Sequence, residues 1–176
     1  LVEAPQWRQA VAPDFEQYLR GDDLLAVSGD AVYADTRVNP DGTLDISRWT
    51  RPQHDGPPLR ALSVLRWLRA LGTERDRAGE AVLADAERLL RIDLAFTAIH
   101  WREPSLDIWE EELGFHYFTL RVSGAALSEG AEWLRARGET TEADALRAEA
   151  QAIREALDHY WLEDAGYYVS RVMPAG

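Results

Sequence analysis

The sequence contains no cysteine, so neither a disulfide nor a thiolate metal site can hold the chain together. The compartment, cytoplasmic or secreted, stays open on that count. No apolar run approaches the roughly 18 residues of a membrane span. Cationic side chains are few: Lys and Arg total 19 against 31 Asp and Glu, a net charge of −12. Such a surface repels phosphate backbones and anionic lipid, so neither nucleic acid nor a membrane is expected as a partner. The phosphate-cradling patterns GxxxxGK[ST] and GxGxxG are absent. The four histidines, His54, His100, His116 and His159, show no metal-ligand spacing among themselves, and no metal or cofactor is expected. The chain opens on Leu1 without a basic-then-apolar leader, as expected of a mature form or a fragment.

What is present is apolar mass and aromatic rings. With 46% hydrophobic residues, the 176 residues suffice for one sizeable core, and a single domain over 1–176 is the expectation. Seven tryptophans and six tyrosines stand beside one methionine. Such rings fill helix interfaces or stack on sugar faces. Most are expected in the core; Trp49, Trp101 and Trp109, which lie near acids, are the expected exceptions.

The chain reads as all-α. A short helix is expected around Asp14–Arg20, stopped by Gly21. Residues 29–56 are irregular and rich in turn formers, and NPDGT at 39–43 predicts a turn between two short strands. A loop of that length in a compact domain points to function. From Pro57 the pattern is helical. Leu59, Leu62, Leu65, Leu68 and Leu71 form a stripe ended by Gly72. Further helices are expected over about 77–101, 114–137 and from Thr140 or Thr141, the last with Leu146, Ala150, Ile153, Leu157 and Tyr160 inward. The tail reads as a turn and a short strand. The unusual polar residues gather in two connections, 48–57 and 102–113, which stacked helical hairpins can bring to one end.

The first connection is WTRPQHDGPPLR, residues 49–60, where prolines fix the backbone around Arg51 and Asp55. Asp55 is either a preorganised acceptor for ligand hydroxyls or the N-cap of the following helix with Arg51 as its partner. The second is SLDIWEEELG, residues 105–114. On a helix, Asp107, Glu110 and Glu111 would share one face. Mutual repulsion and desolvation by Trp109 would raise their pKa values, keeping one carboxyl protonated as a general acid requires. The other reading is a solvated acidic first turn. His100 and His116 flank this stretch, and each is expected to pack or cap.

Taken in order, WxRPQxDGPxLRA and then DxWEE resemble the glucoamylase family of glycoside hydrolases, family 15, whose members carry motifs like WGRPQxDGPALRA and DLWEE. VNPDGT (38–43), RIDLAFTAIHW (91–101) and FHYFTLRVSGAALSEGA (115–131) are similar to further family segments, so the resemblance runs over residues 29–131. It implies part of an (α/α)6 barrel with a short irregular or β-hairpin segment near residues 29–50. It also implies release of glucose with inversion from the non-reducing end of α-glucosides, starch-type or isomalto-oligosaccharides. The general acid falls on Glu110. Arg51, His54, Asp55, Asp107 and Glu111 would hold the sugar or tune the acid, and Trp101 and Trp109 would wall it. Two positions depart from the pattern: His54 stands where fungal members often have arginine, and Glu112 where the family usually has an apolar residue.

An inverting hydrolase needs a second carboxylate about 6.5–9.5 Å from the acid to activate water. Glu129, Glu132, Glu139 and Glu142 fall on or between helices and read as solvated. The chain is therefore expected to be the N-terminal, acid-bearing portion of a longer catalytic domain, with the C-terminal half of the barrel as its missing partner. The alternatives are an α,α-trehalase of the same barrel type, a noncatalytic carbohydrate-binding remnant and a helical scaffold without a ligand.

Overall fold

The computed structural model describes residues 12–19, 46–47, 52–72 and 79–174. Among these residues four α-helices dominate: α1 (Gly56–Leu71), α2 (Glu80–His100), α3 (Tyr117–Ala136) and α4 (Thr140–Asp158). Five short strands accompany them: β1 (Ser105–Leu106), β2 (Leu113–His116), β3 (Trp161–Leu162), β4 (Tyr167–Tyr168) and β5 (Arg171–Val172). No helix among the described residues is long and apolar enough to cross a membrane.

Helix α1 starts on Gly56, with Pro57 and Pro58 in its first turn, where their missing N–H groups cost nothing. Pro57, Pro58, Ala61, Leu62, Leu65 and Leu68 are its buried residues, while Leu59 is exposed and Leu71 half-buried. The expected five-leucine stripe thus narrows to its middle. On a helix of 3.6 residues per turn each step of three slips about 60°, so a long three-step run rotates out of the core at both ends. Helix α2 buries Leu90, Leu94 and Phe96 but leaves Val82, Leu89 and Ile99 exposed. Helix α3 ends at a turn in which Glu139 N–H donates to the Leu134 carbonyl at 3.1 Å. Gly138 supplies the left-handed residue there, at φ 82°. Helix α4 follows at once, with Ala143, Ala150, Ile153 and Leu157 inward.

One apolar core joins all four helices, with Leu65, Leu90, Leu127 and Ile153 among its members. Helix α3 lies along α4 and also against α1 and α2. Close approach is possible because α3 carries glycine at the crossings. A Cβ on Gly130 would lie 2.6 Å from Cδ2 of Leu94, and one on Gly124 3.1 Å from Cγ2 of Ile153. An ion pair crosses the α1–α2 interface. Arg60 Nη2 donates to Asp93 Oδ1 at 2.7 Å and Nε to Oδ2 at 3.2 Å, with Asp93 fully buried. Burial pushes the Asp93 carboxyl up, and the guanidinium opposes it.

The strands form two small antiparallel groups. β1, β2 and β5 make a sheet in that order, and β3 pairs with β4. The helix expected from Gly114 therefore begins at Tyr117, because residues 113–116 are taken up as β2 by two partners, β1 and β5. The N-terminal helix is a 3-10 turn, Pro13–Tyr18, with extended Leu19 bridged to Ser47. The turn at 39–43, the strands around it and most of the irregular segment 29–50 lie outside the described residues.

Candidate active site

The two polar connections meet. The Leu106 N–H donates to the Pro52 carbonyl at 2.8 Å, tying β1 to the segment that leads into α1. β1 and β2 form a hairpin, Ser105 opposite Gly114 and Leu106 opposite Leu113, and residues 107–112 are its loop. The acidic stretch is thus not helical, a correction to the expected single helical face. The cause is local: Asp107 Oδ1 accepts the Glu111 N–H at 2.8 Å and the Glu112 N–H at 3.4 Å. An aspartate that bonds the backbone of its own turn competes with helix formation. The Glu110 N–H donates to the Asp107 carbonyl at 2.9 Å.

This loop forces Glu110 to φ 61°, the one non-glycine residue among those described with positive φ. A Cβ in that region carries strain of order 1 kcal/mol or more, and such residues concentrate at functional sites. Two electrostatic expectations also change. Burial acts upward on the Asp107 carboxyl, but the N–H groups of Glu111 and Glu112, with His116, hold it below the usual carboxylate range. Trp109 points outward, 75% exposed, and an indole in that position withdraws little water from Glu110.

Across from the loop, Gln53, His54 and Asp55 are three consecutive buried polar residues. Asp55 occupies the N-cap position of α1, yet its side chain makes no capping bond. Burial pushes its carboxyl above the ordinary range. Nearby N–H groups and the Gln53 amide pull the other way, and the Glu110 charge adds to the upward push. The His54 ring lies edge-on to Phe96 at 5.5 Å and 6.0 Å from His100, which stacks on Phe96 and meets Glu103 at 3.0 Å. Burial lowers the His54 pKa against the upward pull of Glu103, favouring a neutral imidazole. His54 Nδ1 and Gln53 Oε1 are buried without a hydrogen-bond partner in the protein. Buried polar atoms ordinarily find partners, so unanswered ones in the segment that carries the Asp55 carboxyl suit a hydroxyl-bearing ligand or water.

Not every expected residue joins this cluster. Trp101 turns toward α4: its indole N–H donates to Glu149 Oε2 at 2.8 Å, and the Arg102 guanidinium lies 4.0 Å from its ring centroid. It lines a separate groove with Phe115, His159 and Tyr160. Glu111 is exposed at the loop surface. Arg51 and Trp49 lie outside the described residues. Gln53 and Arg171 went unread in the sequence. Arg171 Nε lies 2.5 Å from Glu112 Oε2, a contact 59 positions apart in the chain that no local pattern signals. No group of three or more metal-ligating side chains converges among the described residues.

Residues 36–172 match the model of the family described as glycosyl hydrolases family 15. The chain belongs to that family. It is 34% identical over 125 residues to a probable glucoamylase of Schizosaccharomyces pombe, covering 71% of this chain and 27% of that protein. It is 31% identical over 147 residues to a glucoamylase of Blastobotrys adeninivorans, covering 79% and 23%. The family-15 glucoamylase structure from Hypocrea jecorina superposes with a TM-score of 0.66 at 27% identity, over 76% of this chain and 22% of that one. The glucoamylase structure from Saccharomycopsis fibuligera gives 0.66 at 25%, over 76% and 30%. The chain thus spans about a quarter of the length of the curated relatives it matches. Its fold class is that of the (α/α)6 barrel of family-15 glucoamylases, with small antiparallel strand pairs at the helix connections.

Proposed function

We propose that this chain carries the acid-bearing part of the active site of an inverting, exo-acting α-glucoside hydrolase, with Glu110 as general acid. The observation that supports this most is the hairpin itself. It holds one glutamate in a strained backbone conformation and is tied by the Leu106–Pro52 hydrogen bond to the segment that carries buried Asp55, in a member of family 15. Glu110 gives its proton to the glycosidic oxygen as the C1–O bond breaks. Water attacks C1 from the opposite face, and its proton passes to a carboxylate supplied from outside the described residues. This region is then the N-terminal portion of a longer barrel domain.

The remaining groups divide by what they can still offer. His54 presents an unpartnered Nδ1 and Asp55 a carboxylate, both suited to sugar hydroxyls. Exposed Trp109 offers an apolar wall and exposed Glu111 a further acceptor, and Arg51, adjacent in sequence to Pro52, is proposed to complete the sugar-facing set. Asp107 acts mainly by shaping the loop, since Oδ1 is already bonded to backbone. Trp101, held by Glu149, is left out of this set. The substrate is a starch-type or isomalto-type glucoside, in keeping with relatives called glucoamylases.

The test is Glu110→Gln in the full-length protein. Turnover of maltose is expected to fall about 10²–10⁴-fold. Turnover of α-glucosyl fluoride, whose leaving group needs little protonation, is expected to fall far less. Near-normal maltose turnover by Glu110→Gln excludes this role.

A further inference from the structure

We propose that His116 is a positioning residue for the acid: its Nε2–H clamps the two ends of the loop that carries Glu110. The proposal rests on the reading of Glu110 as general acid. His116 closes β2 and is buried. Its Nε2 lies 3.0 Å from the Ser105 carbonyl oxygen and 3.0 Å from the Glu112 carbonyl oxygen. Carbonyl oxygens only accept, so Nε2 must carry the proton and donate to both. Ser105 leads into the acid loop on β1, and Glu112 is the last loop residue before β2. One N–H therefore spans the mouth of the hairpin.

The backbone that carries the ring is itself fixed. The His116 backbone pairs with Arg171 of β5, and the Tyr117 N–H donates to the Ser170 carbonyl at 2.9 Å. The Tyr160 hydroxyl donates to the Phe115 carbonyl at 2.9 Å. Gly114 leaves room for the imidazole: a Cβ there would lie 3.4 Å from Nε2 and 3.3 Å from the Val172 carbonyl oxygen. The strained φ at Glu110 persists only while its surroundings hold it, and the His116 clamp is a side-chain tie that joins both ends of the loop, beside the Asp107 bonds within it. Released, Glu110 relaxes toward an ordinary backbone region and its carboxyl moves off the glycosidic oxygen. A misplacement of about 1 Å in a reacting group can cost on the order of 10²-fold in rate.

The experiment compares His116→Gln, whose amide nitrogen can take the place of Nε2, with His116→Met, of similar length but without a donor, in the full-length protein. His116→Met is expected to lose about 10–100-fold in kcat on maltose with KM little changed, and far less on α-glucosyl fluoride. His116→Gln is expected to regain most of that loss. Nitrogen-15 NMR of the wild-type imidazole is expected to show a protonated Nε2. A folded His116→Met with wild-type kcat on maltose overturns the proposal, as does equal loss on both substrates in both variants. Should the methionine variant fail to fold, the tautomer decides, and an unprotonated Nε2 refutes the clamp. Glu110→Gln run alongside separates the two ideas. If it turns maltose over normally, the acid assignment fails; if it does not and His116→Met does, the clamp alone fails.

Discussion

Glu110 keeps a side chain where the backbone prefers none. At φ 61° a glycine would sit without strain, so a glutamate there trades stability for the position of its carboxyl. Glu110→Gly in the full-length protein is therefore expected to lose activity while keeping or gaining stability, by up to about 1 kcal/mol. Denaturant melts beside maltose assays check both halves, and a marked destabilisation would show that the residue is ordinary scaffold. The residues of this site were partly legible. The acids, Asp55 and Trp109 stand out as polar and aromatic groups beside prolines and helix starts. Their conformation did not, because carboxylates at i, i+3 and i+4 suit a helix as well as a loop. The deciding contacts, Asp107 to the N–H groups of Glu111 and Glu112, leave no periodic trace.

At the scale of elements, the helices were the most legible part. Pro57 and Pro58 open α1, Gly138 closes α3, and Leu146, Ala150, Ile153 and Leu157 mark the packed side of α4. The strands were not, since β2 owes its form to β5, far along the chain. The two α3 glycines make a graded test of packing. At Gly130 an added methyl would overlap the buried Leu94 side chain at 2.6–2.7 Å. Gly130→Ala is expected to cost about 1–2 kcal/mol, as overpacking outweighs the gain in helix propensity. At Gly124 the nearest atom is Ile153 Cγ2 at 3.1 Å. A small shift there is offset by the roughly 1 kcal/mol that alanine adds in a helix, so Gly124→Ala is expected to be near neutral. Thermal or denaturant melts of the two variants check the order. Equal losses would mean that α3 does not approach α2 as closely as the geometry requires.

At the scale of the whole molecule, four helices share one core while α2 leaves Val82, Leu89 and Ile99 in solvent, and a groove between α2 and α4 is lined by Leu94, Leu134 and Leu146. Family membership and a chain spanning about a quarter of its relatives fit a larger barrel around this unit. The central claim is that such a barrel, with Glu110 as its acid, hydrolyses α-glucosides with inversion. Proton NMR of the first glucose released by the full-length protein tests it most directly, with maltose, isomaltose and trehalose as substrates. β-Glucose from maltose or isomaltose, and none from the Glu110→Gln variant over the same period, is the predicted result. α-Glucose formed at once in excess of the share carried by the reducing-end unit, release from trehalose alone, or β-glucose still formed at the wild-type rate by Glu110→Gln would contradict the account.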